Sequence, residues 1–452
     1  MVNKIIKNNI KSEKGITLIA LVITIIVLLI LAGISISMLS GDNSILSRAG
    51  QARDKTEYAT IEEQRRLTML EAASNVNGEN YNGVKIPAGY AATKIEGEST
   101  VDEGLVITDS EGNEYVWIEV PNDGTGPVYT EVASAEENSD DYYTAIATAL
   151  RTYCTKDAKG GDLIKIGTAD EDTSGKTSTY GYTDVWYDGA GKLENDSGSN
   201  KDDKTGCGLT CNEYKELYKK MLKSVYTNGG FWIGRYEAGT TSPRGNKNDP
   251  TEGLKAESKQ DLYPINYVKC FQAQTIASKA SSSASVNSSL MFGIQWDLVL
   301  RFLSNKGVGT DLLNDNSSTW GNYYNQPFEI NRGKYSVASP WNVYIDYTQA
   351  TENKVTVEGN VSRKIGTTST DKILLTTGAS DTNSKKNIYD LAGNMWEWTL
   401  EHATFAYNGT SYPCNDRGGN FNNSGGDNPA SLRGVGTTSG SSYSVGLRVS
   451  LY

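Results

Sequence analysis

Residues 387–398 read NIYDLAGNMWEW, a polar turn running straight into an aromatic strand. Gly393, inside the LAGN turn, permits the positive φ or close chain approach that a tight reversal needs. Beyond the turn Trp396 and Trp398 alternate, so on a strand both face one side as core anchors while Glu397 points the other way. Three further phrases share this density of glycine and aromatic residues: GGFWIGRYEAG at 229–239, GIQWDLVLRFL at 293–303, and RGGNF…GLRV between 417 and 449. In the second, Trp296, Val299, Leu300 and Leu303 line one helical face, which predicts a helix over 294–304. Thr210 and Glu213 form a capping-box pattern ahead of Tyr214, Leu217, Tyr218, Met221, Leu222 and Val225 at helical spacing, and NGG at 228–230 ends that helix. YVWIEV at 115–120 reads as a strand stopped by Pro121. Residues 130–206 are polar, with runs such as ENDSGSNKDDKTG, and read as an insertion carrying one helix over 142–152.

Taken in order, the four phrases resemble the formylglycine-generating-enzyme (sulfatase-modifying factor) family, whose domain is an elaborated C-type lectin fold. The resemblance spans residues 83–452 and implies an α+β fold. It also implies a calcium ion at the DLAGN turn, held by side-chain oxygens of Asp390 and Glu397 and by the carbonyls of Gly393 and Met395; an all-oxygen set suits calcium. Without the resemblance, Asp390 reads as a solvated acid and Glu397 as the partner of an arginine such as Arg417. Members that oxidise cysteine carry a thiol pair shortly after the RGG segment. Here no Cys follows Cys414, and Asn and Gly stand in those places. Soft-metal redox chemistry then has no ligand set, and His402 has no evident nucleophile partner. The expectation is a non-catalytic member.

Some proteins of this shape are targets of diversity-generating retroelements, which vary the C-terminal segment. That likeness implies ligand contacts at Asn422, Asn423, Ser424, Asp427, Asn428 and Tyr443. The stretch 422–443 is polar and rich in Ser, Gly and Asn, as displayed binding loops are; an ordinary surface loop has the same composition.

At the other end, residues 16–38 (ITLIALVITIIVLLILAGISISM) run without a charge, long enough as a helix to span a hydrocarbon core of about 30 Å. Lys4, Lys7, Lys11 and Lys14 precede the run, so the positive flank stays inside and the rest of the chain faces outward. A small residue, Gly15, stands before the run. This resembles the class III signal of type IV prepilins, which implies cleavage by a prepilin peptidase between Gly15 and Ile16; an uncleaved signal anchor is the alternative. Most pilins carry Glu at the fifth mature position, where this chain has Ala20, and the departure implies a minor, tip-type subunit. The expected organisation is leader 1–15, transmembrane helix 16–38, stalk helix 39–74 with scattered apolar positions such as Leu67 and Leu70, linker 75–82, and the lectin-type domain 83–452.

A formal charge of −11, with no basic block in the body of the chain, argues against a nucleic-acid partner. The expected partners are the membrane, the peptidase, pilus subunits, and an extracellular protein or glycan ligand. Five cysteines, an odd number, leave at least one unpaired or bonded to another chain if they oxidise; small buried thiols fit equally well.

Overall fold

The computed structural model describes residues 21–29, 45–121, 129–155, 181–281, 283–349, 354–358, 362–365, 368–370 and 372–452. The chain divides into two units, 1–64 and 65–452. In the first, residues 21–29 are helical and exposed. No helix among the described residues is long and apolar enough to cross a membrane; most of the apolar run 16–38, and the junction Gly15–Ile16, lie outside them.

Helix α1 (Ile45–Ser74) carries its last ten residues in the second unit, the head. There Thr68 and Ala72 are buried while Leu67 and Leu70 are exposed. The face that docks is therefore not the one carrying Leu67 and Leu70. Arg65 explains the choice, since it pairs with Glu98 at 3.1 Å and with Glu114. Arg235 of the FWIGRYEAG phrase completes the square, at 2.8 Å from Glu98 and 2.9 Å from Glu114. Next comes a hairpin, Glu79–Tyr81 against Val84–Ile86. Its turn residues Asn82 and Gly83 both have positive φ, 51° and 88°, the Asn-Gly signature of a type I′ turn. The expected linker thus ends inside a paired element.

The remaining main helices are α2 (Asp140–Cys154), α3 (Cys211–Asn228), α4 (Cys270–Ala277) and α5 (Gly293–Asn305). The main strands are β1 (Tyr90–Ala92), β2 (Val106–Asp109), β3 (Glu114–Glu119), β4 (Gly230–Gly234), β5 (Ser288–Leu290), β6 (Trp396–Ala403), β7 (Cys414–Arg417), β8 (Arg433–Gly436), β9 (Val445–Leu447) and β10 (Val449–Leu451). The fold is α+β. A six-stranded antiparallel sheet runs β5-β10-β4-β3-β2-β1. A second sheet runs β8-β7-β6-β9, with Tyr182–Thr183 added to β6, and its β6–β9 pair is parallel. The two strands of the GLRV phrase thus go to different sheets, so that phrase joins them.

Local signals set the helix ends. The Thr210 hydroxyl accepts the Glu213 N–H at 3.3 Å, and Glu213 accepts the Thr210 N–H at 2.8 Å, so the capping box is formed. Gly229 closes α3 with φ of 72°, a left-handed cap that glycine takes without strain. Thr210→Ala is expected to cost about 1 kcal/mol, read as a lower urea midpoint with unchanged slope. Helix α5 is buried on nearly every side, which its apolar surface permits. The polar insertion contributes more core than its composition suggests: Tyr142, Ile146, Leu150, Trp186 and Tyr187 all join the main hydrophobic cluster.

Candidate functional site

The RGG phrase leaves β7 at Arg417 and the chain returns at Arg433 in β8, so the intervening loop has an arginine at each base. Both arginines converge on one carboxylate of α5, with Asp297 at 2.9 Å from Arg417 and 2.6 Å from Arg433. Glu401 of β6 adds a second acid, 3.1 Å from Arg433 and 3.7 Å from Arg417. All four are buried. Burial opposes ionisation of Asp297, but Arg433 and Arg417 together outweigh it and hold that carboxyl below the usual range. At Glu401 burial wins over the same two cations and lifts the carboxyl. Asp184 sits at the start of α5, accepting the Gly293 and Ile294 N–H groups at 2.6 and 3.1 Å, where the helix dipole favours an anion.

On this base the loop is folded by its own polar side chains. Asn420 accepts the Asn422 N–H at 2.7 Å, and Asn423 accepts the Asn420 N–H at 3.0 Å. The Ser424 hydroxyl accepts the N–H groups of Gly426 and Asp427. Two of the expected contact residues, Asn423 and Ser424, therefore spend polar atoms on loop shape. Asp427 is exposed, and Asn422 and Asn428 are half-buried.

Tyr443, far along the chain, comes back to this loop. Its ring stacks on Trp341 with centroids 5.5 Å apart and planes 22° apart, and lies 6.1 Å from Phe421 and 6.4 Å from Tyr267. Trp341 and Phe421 are buried beneath, edge to face at 5.0 Å. The Tyr443 hydroxyl accepts the Asn422 amide at 3.3 Å and the Lys372 ammonium at 3.4 Å. Its carbonyl accepts the Asn266 amide at 3.2 Å. The amide oxygens of Asn422 and Asn266 are buried with no hydrogen-bond partner among the described residues. Trp341 and Tyr267 hold φ of 65° and 54°, a left-handed backbone that costs a bulky side chain about 1–2 kcal/mol. Strain of this kind persists where the surroundings impose it and gathers at binding sites.

No family model and no curated protein matches the chain. Among solved structures, Treponema denticola variable protein 1 is similar over 49% of this chain and 84% of that one, at 14% identity and a TM-score of 0.25. That likeness is too slight to bear on fold or function.

At the DLAGN turn, where the expected calcium ligands lie, one of the two carboxylates has an arginine partner. Both oxygens of Glu397 face the Arg448 guanidinium, at 3.0 and 3.1 Å from Nε and 2.6 Å from Nη2. Burial pushes the Glu397 carboxyl up to about 7 against the pull of Arg448. Asp390 accepts the Gly378 N–H at 2.9 Å through one oxygen, and its other oxygen is buried without a hydrogen-bond partner among the described residues. Gly393 and Met395 serve the turn through their N–H groups, to the Gly418 carbonyl and the Glu237 carboxylate. Among the described residues no group of three or more His, Cys, Asp or Glu is placed to hold a metal. Of the four expected calcium ligands, Glu397 has both carboxylate oxygens on Arg448, while Asp390 keeps one buried oxygen without a partner among the described residues. The arginine alternative describes the geometry, with Arg448 as partner where the sequence suggested Arg417.

Sequence reading passed over Trp341, Tyr267, Lys372 and Asn266. Each is a single residue in an unpatterned segment, and only the SPW sequence at 339–341 hints at an unusual turn. Phe421 lies inside the RGGNF phrase at 417–421.

Proposed function

We propose that this chain is a surface-displayed, non-catalytic binding protein. Its head would meet an extracellular protein or glycan through Tyr443 and Tyr267, which the buried Trp341 supports from beneath, and the adjoining loop residues Asn422, Asp427 and Asn428. The observation that carries this reading is the pair of left-handed aromatic residues, Trp341 and Tyr267, flanking Tyr443. Rigid aromatic side chains mixed with Asn and Ser are the chemistry of adaptable recognition surfaces. A pilin-type anchor at 16–38, processed at Gly15–Ile16, would present the head outside the cell, and a lectin-type scaffold would tolerate variation at the loop. The non-catalytic reading rests on the missing thiol pair after Arg417 and on the state of the thiols present, which are buried. Burial lifts the Cys207 thiol to about 12, leaving almost no thiolate at neutral pH.

The test is a glycan and protein panel probed with the full chain in detergent, alongside Asn422→Ala, Asp427→Ala and Tyr443→Ala variants. Loss of Tyr443 is expected to weaken binding at least about tenfold, as a central aromatic contact does, with the two loop variants contributing less. A combined variant that binds every wild-type ligand unchanged would sink the proposal.

A further inference from the structure

All five thiols are buried, but they are unevenly placed. Cys207, Cys270 and Cys414 gather around Tyr187, which is itself fully buried. The Cys270 thiol, in the first turn of α4, lies 3.6 Å from the Tyr187 hydroxyl and 3.6 Å from the Thr399 carbonyl of β6. Cys414 opens β7 directly across from His402 of β6, whose ring packs on Tyr187 with centroids 5.3 Å apart. Its thiol is in hydrogen-bonding contact with both the Tyr187 hydroxyl and the Cys270 thiol. The other thiols are engaged elsewhere. Cys207 donates to the Leu209 carbonyl at 3.8 Å, and Cys154 to the Arg151 carbonyl at 3.3 Å. Cys211 faces Lys215 and Glu194. The two thiols of CGLTC, neighbours in the chain, thus have different surroundings, whereas α4 and β7 bring two distant cysteines into contact.

We propose that Cys270 and Cys414 form a disulfide when the chain folds in an oxidising medium, tying α4 to β7. Only the source of the oxidant rests on the outward placement proposed above. A low-molecular-weight disulfide supplies it. One cysteine thiolate attacks that disulfide and releases one small thiol. The second cysteine then displaces the other small thiol and closes the Sγ–Sγ bond, and the two cysteine protons end on the two released thiols. Contact with Cys414, and then burial, raises the Cys270 thiol well above its ordinary range. Thiolate is therefore scarce once the head has packed, which places the exchange during folding. A link between such distant residues restricts the unfolded chain, so the linked head is the more stable form.

The full chain, unfolded in urea with reductant, is refolded in detergent with a mixture of reduced and oxidised glutathione. Alkylation in denaturant, followed by intact mass and peptide mapping, counts the thiols and locates the link. Three of the five thiols are expected to be alkylated, with one crosslinked peptide pair holding Cys270 and Cys414. The linked chain should unfold at a higher urea concentration than the same chain after reduction. Cys270→Ser and Cys414→Ser should each release the other thiol to alkylation, whereas Cys207→Ser should leave the link in place. Alkylation of all five thiols after refolding would overturn the proposal, as would a link joining Cys207 to Cys211 or to Cys270. So would the same pattern of links in a chain kept in urea, since the fold would then not select the pair. The readout is a mass, so failure here leaves the ligand-binding test standing.

Discussion

Asp297→Ala is expected to destabilise the head by about 3–5 kcal/mol, the usual loss when one partner of a buried ion pair is removed. The variant leaves Arg417 and Arg433 buried, with Glu401 alone to balance two guanidinium groups. Arg417 is the more vulnerable. Burial, and then repulsion from Arg433, already lowers the affinity of its guanidinium for a proton, and Asp297 is the nearer of its two acids. Because the two arginines close the base of the loop that carries Asn422 and Asp427, the same substitution should weaken ligand binding before the head unfolds. Chemical denaturation with a circular-dichroism readout measures the first effect, and binding at a temperature well below the midpoint measures the second. A stability loss under about 1 kcal/mol, typical of an exposed pair, would show that water reaches the arginines and that the network does not hold the loop.

Glu397→Gln is expected to cost about 3 kcal/mol or more by the same logic, with one added distinction. Arg448 gives its other N–H bonds to the Gly234 and Tyr389 carbonyls, at 2.9 and 2.8 Å, so the guanidinium ties β4 and the approach to the turn to β6. Nearby, burial raises the Glu237 carboxyl, and the neighbouring Asp390 and Glu397 charges raise it further. One guanidinium therefore faces three acids. Removing the Glu397 charge strips Arg448 of its bidentate partner while lessening the repulsion on Glu237, and the first term is larger because those bonds are direct. The loss should be the same with and without a calcium chelator. A loss that appears only when calcium is present would make the turn a metal site after all.

Much of the head was legible because the relevant physics is local. Helix α3 announces itself through Thr210, Glu213 and the NGG stop, since a cap and a left-handed glycine act within a few residues. The strand after the DLAGN turn follows from Trp396, Glu397 and Trp398, whose alternation any strand imposes. The candidate site was legible only at its loop. Asn422, Asp427, Asn428 and Tyr443 stand out by composition, whereas Trp341, Tyr267 and Lys372 lie in segments without a pattern.

What the sequence by itself determined, then, was the start and stop of α3, the strand that follows the DLAGN turn, and which residues a C-terminal loop would carry. Only the tertiary structure decided that Glu397 meets Arg448, that Asp297 gathers both Arg417 and Arg433, and that Tyr443 lies on Trp341. The reason is physical: period and capping are properties of neighbours along the chain. The partner of a buried charge or ring is set instead by which distant strands the sheets bring side by side, and several arginines in the sequence were equally able to satisfy each acid.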